Sequence, residues 1–245
     1  MVDKPAGWTS HDIVAKVRSI LRQAKSQKLK AQSLDKKPSA RDFQLSAASP
    51  KVKVGHTGTL DPFATGLLIL VLGSYTKRAN EFSKLDKTYE AELTLCKTST
   101  TGDIEGEITQ KSGKKPAKEE VKAVLSTFLG EIMQIPHPYS AIKVGGQRAY
   151  KMARQGKEVK LEPRQVTVYR LQLTEYKYPK LKMIAEVSSG TYIRSLAEDI
   201  GEKLGTGAYL SALRRTKVDT HSVEEAMQME NLIFETLQQH LQNRG

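Results

Sequence analysis

The sequence has one cysteine, few aromatic residues and no long apolar run. Cys96 alone cannot form an internal disulfide and has no ligand pattern around it, so we expect a reducing, cytoplasmic compartment and no bound metal. No run of 18 apolar residues occurs, and residues 1–5 lack the apolar stretch of a secretory signal, so we expect no membrane span. Aromatic residues make up only 6% of the chain, which argues against a broad base-stacking platform for single strands.

Acidic residues are also in the minority. The 245 residues include 39 Lys and Arg against 27 Asp and Glu, which gives a formal net charge of +12. A surplus of this size favours a polyanionic partner, and nucleic acid is the usual one. A basic soluble protein with no such partner would have the same composition, so charge alone leaves both interpretations open.

The most distinctive stretch is residues 55–66, GHTGTLDPFATG, which an apolar run at residues 67–73 follows. Three glycines and one proline in twelve residues exclude a continuous helix or strand there. The apolar run is typical of a buried strand. We therefore predict a tight loop, pinned by a core strand, that presents the carboxylate of Asp61. An Asp in a Gly/Thr loop is more often a turn or cap residue, so the pattern alone leaves its role open.

Periodicity indicates the surrounding elements. Apolar residues at helical spacing predict a helix that begins at Ser10 and another over residues 117–129. Alternating apolar residues predict strands over residues 87–95, 165–175 and 181–188.

The string GHTGTLDPFATGLL resembles the signature of the TruB family of tRNA pseudouridine synthases. Further blocks resemble that family in the same order: KPAGWTS at 4–10, KTY at 87–89, YSAIKVGGQRAY at 139–150, SSGTYIR at 188–194 and GTGAYLSALRRTKV at 205–218. The resemblance implies an α+β pseudouridine synthase fold, in which a mixed, mainly antiparallel central sheet is flanked by helices and loops. It also implies a single catalytic domain over residues 1–245, without the C-terminal PUA domain that many members carry.

Three residues are catalytic if the resemblance holds: Asp61 as nucleophile, Arg194 as its ion-pair partner, and Tyr89 as a ring that stacks on the target uracil and serves in proton transfer. An ionised carboxylate in a dry pocket needs such a partner, because burial raises its pKa and a guanidinium opposes the shift. An Arg in the first turn of a helix faces the unfavourable end of the dipole, so it needs a partner. A pair with Glu198 at i,i+4 is the alternative for Arg194.

The resemblance assigns six more residues to substrate binding: His56, Lys87, Lys143, Arg148, Tyr192 and Leu213. His56 would contact the flipped nucleotide, Tyr192 would pack on the bound uracil, and Leu213 would form an apolar floor near Asp61. Lys143 and Arg148 lie in a segment, about residues 135–157, that resembles the family's RNA-binding thumb. Basic residues beside tyrosines suit contacts to phosphates and bases together.

Residues 23–50 depart from the family, in which this segment is usually short. They contain six basic residues against two acidic ones, with many Ser, Ala and Gln, and we predict a flexible, basic loop. The loop is either a solvated insertion without function or an arm that binds RNA phosphates.

The resulting functional hypothesis is isomerisation of uridine to pseudouridine in the tRNA T-loop, at position 55. The reaction would proceed by base flipping and attack by the Asp carboxylate, on the T-arm of tRNA, in a monomer that needs no cofactor. A non-catalytic RNA-binding or tRNA-folding protein is the main alternative, although it gives no reason for Asp61 and Arg194 to occur together. A carboxylate-dependent nucleoside hydrolase lacks a second clear catalytic carboxylate, and a guide-RNA-dependent member of the wider family is also conceivable.

Overall fold

The structure, a computed structural model, describes residues 1–34 and 52–242, without the side chains of residues 25, 27–34 and 240–242. Within these residues the strands are β1 (Val2–Lys4), β2 (Val54–His56), β3 (Thr65–Leu68), β4 (Leu70–Leu72), β5 (Lys87–Leu95), β6 (Lys97–Ser99), β7 (Ile108–Gln110), β8 (Gly130–Gln134), β9 (Lys143–Val144), β10 (Gln147–Arg148), β11 (Arg164–Lys177), β12 (Lys180–Val187), β13 (Ala208–Val218) and β14 (His221–Ser222). The α-helices are α1 (Ser10–Leu34), α2 (Ala79–Ser83), α3 (Lys118–Ser126), α4 (Ala149–Arg154), α5 (Ile193–Lys203) and α6 (Phe234–Gln242). Short 3₁₀ helices cover Gly73–Arg78, Val223–Glu225 and Met229–Asn231.

The central sheet has the strand order β1-β3-β13-β5-β12-β11-β8, with β14 paired to β13. The pairing of β3 with β13 is parallel, whereas the other pairings in this sheet are antiparallel. The predicted mixed, mainly antiparallel α+β architecture is therefore confirmed. The three strands predicted by alternation are found as β5, β11 and β12.

The main core lies between this sheet and the helices α3 and α5. Strand β12 buries every second side chain, Leu181, Met183, Ala185 and Val187, as its alternation predicts. Helix α5 comes very close to β13, because a Cβ added at Gly201 would lie 2.2 Å from the backbone nitrogen of Ala208. The same core cluster contains residues of the 55–66 loop and the first residue of α5, so one packed body fixes both.

Helix α1 corrects the predicted extent of the loop at residues 23–50. Its first half packs Ile13, Val14 and Val17 into a second core cluster, as predicted, but the helix continues to Leu34. No Gly or Pro occurs between Ser10 and Leu34, and the segment is rich in good helix formers such as Ala, Leu, Lys, Gln and Arg. Its charge pattern therefore suggested a loop where backbone propensity favours a helix. The rest of the predicted loop, residues 35–50, lies outside the described residues.

The apolar run after the 55–66 loop forms two short strands rather than one. Strand β3 joins the central sheet, while β4 turns away at Ile69 and pairs with β2. The pairing of β2 with β4 therefore holds the chain before the loop next to the chain after it. Among the described residues, no helix has the length and apolar character that crossing a bilayer would require.

Candidate active site

The loop that carries Asp61 is held from one side by the N-terminal segment. The Ser10 hydroxyl at the start of α1 accepts the backbone N–H of Leu60 at 2.8 Å and donates to its carbonyl, 3.1 Å away. The buried Lys4 ammonium donates to the carbonyl of Pro62 at 3.2 Å and also to two carbonyls of its own segment. The residues on both sides of Asp61 are thus fixed, and Lys4 has a structural role in these contacts.

Strand β13 holds the loop from the other side through Arg215, which is only 2% exposed. Its guanidinium donates to the carbonyl of Leu67 at 2.8 Å and to that of Gly58 at 3.1 Å. Gly66 makes this approach possible, because it has a φ of +103° and an added Cβ would lie 2.3 Å from the Arg215 carbonyl oxygen. No other residue type fits that position without displacing a strand.

Arg194, in the first turn of α5, is the hub of the site. Its Nε lies 3.1 Å from one Asp61 carboxylate oxygen, and its Nη2 donates to the other at 3.3 Å. The opposite edge of the guanidinium lies 3.2 Å from the Asp103 carboxylate. Further bonds run to the carbonyls of Thr101 at 3.0 Å and Tyr139 at 2.9 Å. The N–H groups on every side of the guanidinium thus meet acceptor oxygens, so its orientation is fixed.

Arg194 therefore pairs with Asp61 and not with Glu198, which instead lies 3.5 Å from His137. Burial raises the pKa of Asp61 above its ordinary value, and the adjacent Arg194 charge is the largest opposing influence. The like charge of Asp103 raises this pKa as well, whereas His137 and Lys4 lower it. The pocket thus makes the Asp61 carboxylate more basic, while the ion pair with Arg194 fixes the orientation of the carboxylate.

A cleft of about 280 Å³ opens in front of Asp61, close to the lower end of the ~300–1,000 Å³ typical of ligand sites, which suits one small ring. Six of the predicted site residues line it: Asp61, Lys87, Tyr89, Tyr192, Arg194 and Leu213. Tyr89 on β5 and Leu213 on β13 are 8% and 9% exposed, so they form largely buried walls of the cleft.

Lys87 lines the cleft, but its ammonium group is hydrogen-bonded to backbone carbonyls. Its ammonium donates to the carbonyl of Ser83 at 2.6 Å and to that of Leu85. Burial lowers the pKa of Lys87 to about 8, and the neighbouring Arg215 charge acts in the same direction. Lys87 therefore shapes the rim of the cleft and adds positive charge to it.

Three predicted residues lie outside the lining of this cleft: His56, Lys143 and Arg148. His56, at the end of β2, is half-buried, and within the described residues its Nδ1 has no hydrogen-bond partner. Burial lowers the pKa of His56, as do the charges of Arg215, His11 and Arg148. Lys143 and Arg148 are exposed on the β9–β10 hairpin, where Arg148 donates to the carbonyl of Ala141, a lining residue of the cleft.

Sequence reasoning missed Asp103 and the buried state of Arg215. Asp103 is 1% exposed and accepts the Thr101 hydroxyl at 2.6 Å and the Glu105 N–H at 2.9 Å. No periodic signal marks such a residue, because only the folded chain brings it to Arg194. Among residues 1–34 and 52–242, no group of three or more His, Cys, Asp or Glu side chains is arranged to hold a metal ion.

The chain is similar to known proteins in sequence and in fold. Residues 46–193 match the family described as "TruB family pseudouridylate synthase (N terminal domain)", and residues 194–243 match the family described as "tRNA pseudouridylate synthase B C-terminal domain". Curated proteins named tRNA pseudouridine synthase B are similar along most of the chain. The one from Aquifex aeolicus is 40% identical over 95% of this chain and 72% of its own length. The one from Parabacteroides distasonis is 41% identical over 94% of this chain and 89% of its own length.

Two solved structures are similar to the fold. A chain in the crystal structure of a Cbf5–Nop10–Gar1 complex superimposes with a TM-score of 0.62 and 26% identity over 94% of this chain. A chain in the structure of an H/ACA RNP bound to a substrate RNA containing 2′-deoxyuridine gives a TM-score of 0.61 and 25% identity over 94% of this chain. This chain spans about half the length of those two chains, 51% and 50% respectively.

Proposed function

Because this chain belongs to the TruB family of pseudouridylate synthases, we propose that it isomerises uridine to pseudouridine in the T-loop of tRNA, at position 55. The observation that carries the proposal is the Asp61 carboxylate, held at two points by Arg194, at the wall of a small cleft. Isomerisation breaks the bond from ribose C1′ to uracil N1 and forms one from C1′ to C5. The C5 proton is lost and N1 gains one, so the reaction is balanced without a co-reactant.

Asp61 is the group that attacks the ribose, either covalently or as a base. Either role requires the ionised carboxylate, which the guanidinium of Arg194 favours against the effect of burial. The two-point contact leaves the carboxylate little rotational freedom, so the reacting oxygen is positioned before the substrate arrives.

The apolar walls of the cleft suit a base that has left its stack. Extrusion of a nucleotide costs a few kcal/mol, and contact with aromatic and apolar side chains offsets part of it. Tyr89, Tyr192 and Leu213 supply such contacts around the cleft. We assign Tyr89 to uracil stacking and proton transfer, and His56 to contact with the flipped nucleotide from the rim.

The basic thumb provides contacts to the RNA backbone. Lys143 and Arg148 are exposed, and Arg148 donates to the carbonyl of Ala141, a thumb residue that lines the cleft. The thumb itself forms a second, open cleft, whose lining includes the basic residues Arg148, Lys151 and Lys157. Phosphate contacts of this kind position an RNA without reading its sequence. We therefore place the T-arm of tRNA across the thumb, with the target uridine entering the cleft.

The buried Asp103 bears on the hydrolase alternative, which needs a second carboxylate as acid or base. Asp103 is close to the site but is only 1% exposed and is fully engaged with Arg194, Thr101 and Glu105. It does not line the cleft, so it has no access to a substrate or a water. The non-catalytic RNA-binding alternative leaves the Asp61–Arg194 pair without a purpose.

The test uses an unmodified tRNA transcript, incubated with the wild-type protein and with Asp61→Asn, followed by chemical mapping of pseudouridine. We expect modification of the T-loop uridine by wild type alone, with equal tRNA binding by both proteins. A transcript with cytidine at that position controls for the site. Binding by both proteins without modification by either would refute the proposed function and favour a role in RNA binding.

A further inference from the structure

We propose that Gln134, a buried residue outside the cleft, is a positioning residue for this reaction. Its amide fixes the backbone of Tyr192 and thereby the first turn of α5, which carries Arg194. The inference rests on the proposed function, since its readout is the isomerisation itself.

Gln134 grips a single residue at both of its backbone polar groups. It is the last residue of β8 and is 2% exposed. Its Oε1 accepts the N–H of Tyr192 at 2.8 Å, and its Nε2 donates to the carbonyl of Tyr192 at 3.1 Å. A side-chain amide is the group that combines a donor and an acceptor at this spacing, so no apolar or charged side chain reproduces both bonds.

The start of α5 needs such a grip because it has no ordinary cap. Tyr192 stands at the N-cap position with φ −101° and ψ 112°, and its side chain makes no capping hydrogen bond. Tyrosine is a poor residue for that position, where Ser, Thr, Asp and Asn are preferred. The preceding turn passes through Gly190 at φ +88°, and it is closed by the Thr191 hydroxyl, which donates to the Ser188 carbonyl at 2.9 Å, and by a longer Thr191 N–H bond of 3.4 Å to the same oxygen. These bonds end at Thr191, so Gln134 supplies the side-chain bonds that fix the backbone of Tyr192 itself.

The position of the Tyr192 backbone affects both the wall of the cleft and the Asp61–Arg194 ion pair. The ring of Tyr192 lines the cleft, and Arg194, two residues further on, holds the Asp61 carboxylate. One amide thus sets the orientation of a wall of the base pocket and of the guanidinium that aims the carboxylate. Such alignment is demanding, because a displacement of about 1 Å at a reacting group can cost about a hundredfold in rate.

The experiment compares Gln134→Met, which keeps length and removes both bonds, with Gln134→Glu, which keeps an acceptor for the Tyr192 N–H. Gln165→Met is the matched control, since Gln165 is exposed on the neighbouring strand β11, opposite Met133. Each protein is assayed on unmodified tRNA transcript for its single-turnover rate constant, its dissociation constant and the acid limb of its pH–rate profile. Thermal unfolding of each variant establishes that it is folded at the assay temperature.

We expect Gln134→Met to lower the single-turnover rate constant by about tenfold to a hundredfold. The tRNA dissociation constant should stay within about threefold, because phosphate contacts elsewhere carry most of the binding. Gln134→Glu should be intermediate and Gln165→Met unchanged. Asp61 faces Arg194, Asp103, His137 and Lys4. A loosened Arg194 opposes the effect of burial less, so the acid limb of Gln134→Met should move to higher pH.

A folded Gln134→Met with the wild-type rate constant and acid limb would overturn the inference. A rate loss explained entirely by weaker tRNA binding would overturn it too. If Gln134→Met does not fold, Gln134→Glu carries the same test with the same readouts. A wild-type protein that makes no pseudouridine would instead contradict the proposed function, so the two failures are distinguishable.

Discussion

Replacing Arg194 by lysine keeps the positive charge but removes the planar fork that reaches both carboxylates. In the structure the guanidinium meets Asp61 through two nitrogens, Asp103 through the third, and the carbonyls of Thr101 and Tyr139. A lysine presents three protons on one atom and cannot reach partners on opposite sides of that fork. We expect about two of these acceptor oxygens to be left without a donor.

The magnitude follows from the burial of the acceptors. A buried acceptor without its donor costs about 1–3 kcal/mol, so two such acceptors lower the free energy of unfolding by about 2–6 kcal/mol. Asp103 bears most of this, because its side chain is only 2% exposed whereas that of Asp61 is 30% exposed. The decrease is large against the ~5–15 kcal/mol that stabilises an ordinary domain.

The variant should also change the pH dependence of the reaction. The pKa of Asp61 is already raised by burial, and Arg194 is the main group opposing that shift. A weaker, displaced cation allows the pKa to rise further. Since the reactive form is ionised, activity is then lost at a higher pH on acidification, by about one pH unit or more, at about 1.36 kcal/mol for each unit.

Urea unfolding and single-turnover kinetics between pH 4 and pH 8, on the order of one measurement per half unit, are the two assays. Arg170→Lys is the control, because the Arg170–Glu186 pair is exposed on the sheet and such pairs contribute about 1 kcal/mol or less. An Arg194→Lys protein as stable as the control, with an unmoved acid limb, would refute the argument that the fork geometry holds the site together.

Three further predictions concern other parts of the molecule. Asp61→Asn should change the free energy of unfolding by no more than about 1 kcal/mol at pH 7 in urea titrations. A carboxyl whose pKa is higher in the folded than in the unfolded protein lowers the stability once it is ionised. The variant removes this unfavourable contribution, and Arg194 still has Asp103 as its counter-ion. Gly66→Ala should lower it by about 2–6 kcal/mol, from a positive φ and a clash with the backbone of Arg215, whereas Gly113→Ala, with open space around it, should be neutral in the same titration. Replacing the six basic residues of residues 23–50 by Gln should weaken tRNA binding. The slope of log binding constant against log salt concentration should become shallower by about 0.7–0.9 for each phosphate that is no longer neutralised. An unchanged slope would identify the segment as a solvated insertion. Those residues are Lys25, Lys28, Lys30, Lys36, Lys37 and Arg41.

The sequence predicts the parts of the site that lie in dense local patterns. Asp61 lies among glycines, threonines and a proline, and Arg194 lies at a helix end where its charge is unfavourable, but these patterns leave their roles open and the resemblance to the TruB motifs assigns them. The alternation of apolar and polar residues in β5 and β12 likewise predicts which face of each strand is buried. Such features depend on neighbours in the chain, and for that reason they can be read without coordinates.

The interactions that the sequence does not reveal are those made across long separations by ordinary residues. Asp103 resembles any Asp after a turn glycine, and Gln134 resembles any strand-end Gln, until the fold places them beside Arg194 and Tyr192. The prediction for the C-terminal half of α1 was wrong for a different reason. Composition bias suggested a loop, whereas the absence of Gly and Pro up to Leu34 allows the helix to continue.

The position of Asp103 at first works against the proposed reaction, because its charge raises the pKa of the carboxylate that must be ionised. Its value lies in the step after attack. Whether Asp61 acts covalently or as a base, its negative charge disappears, and a buried guanidinium without a counter-ion would cost several kcal/mol. In the structure Arg194 also contacts Asp103 at 3.2 Å and donates to two carbonyls, and these contacts do not depend on the charge of Asp61. The second carboxylate therefore allows the first to be neutralised without disrupting the site. Burial is the main cause of the raised pKa of Asp61, and the smaller contribution of Asp103 is a consequence of that arrangement.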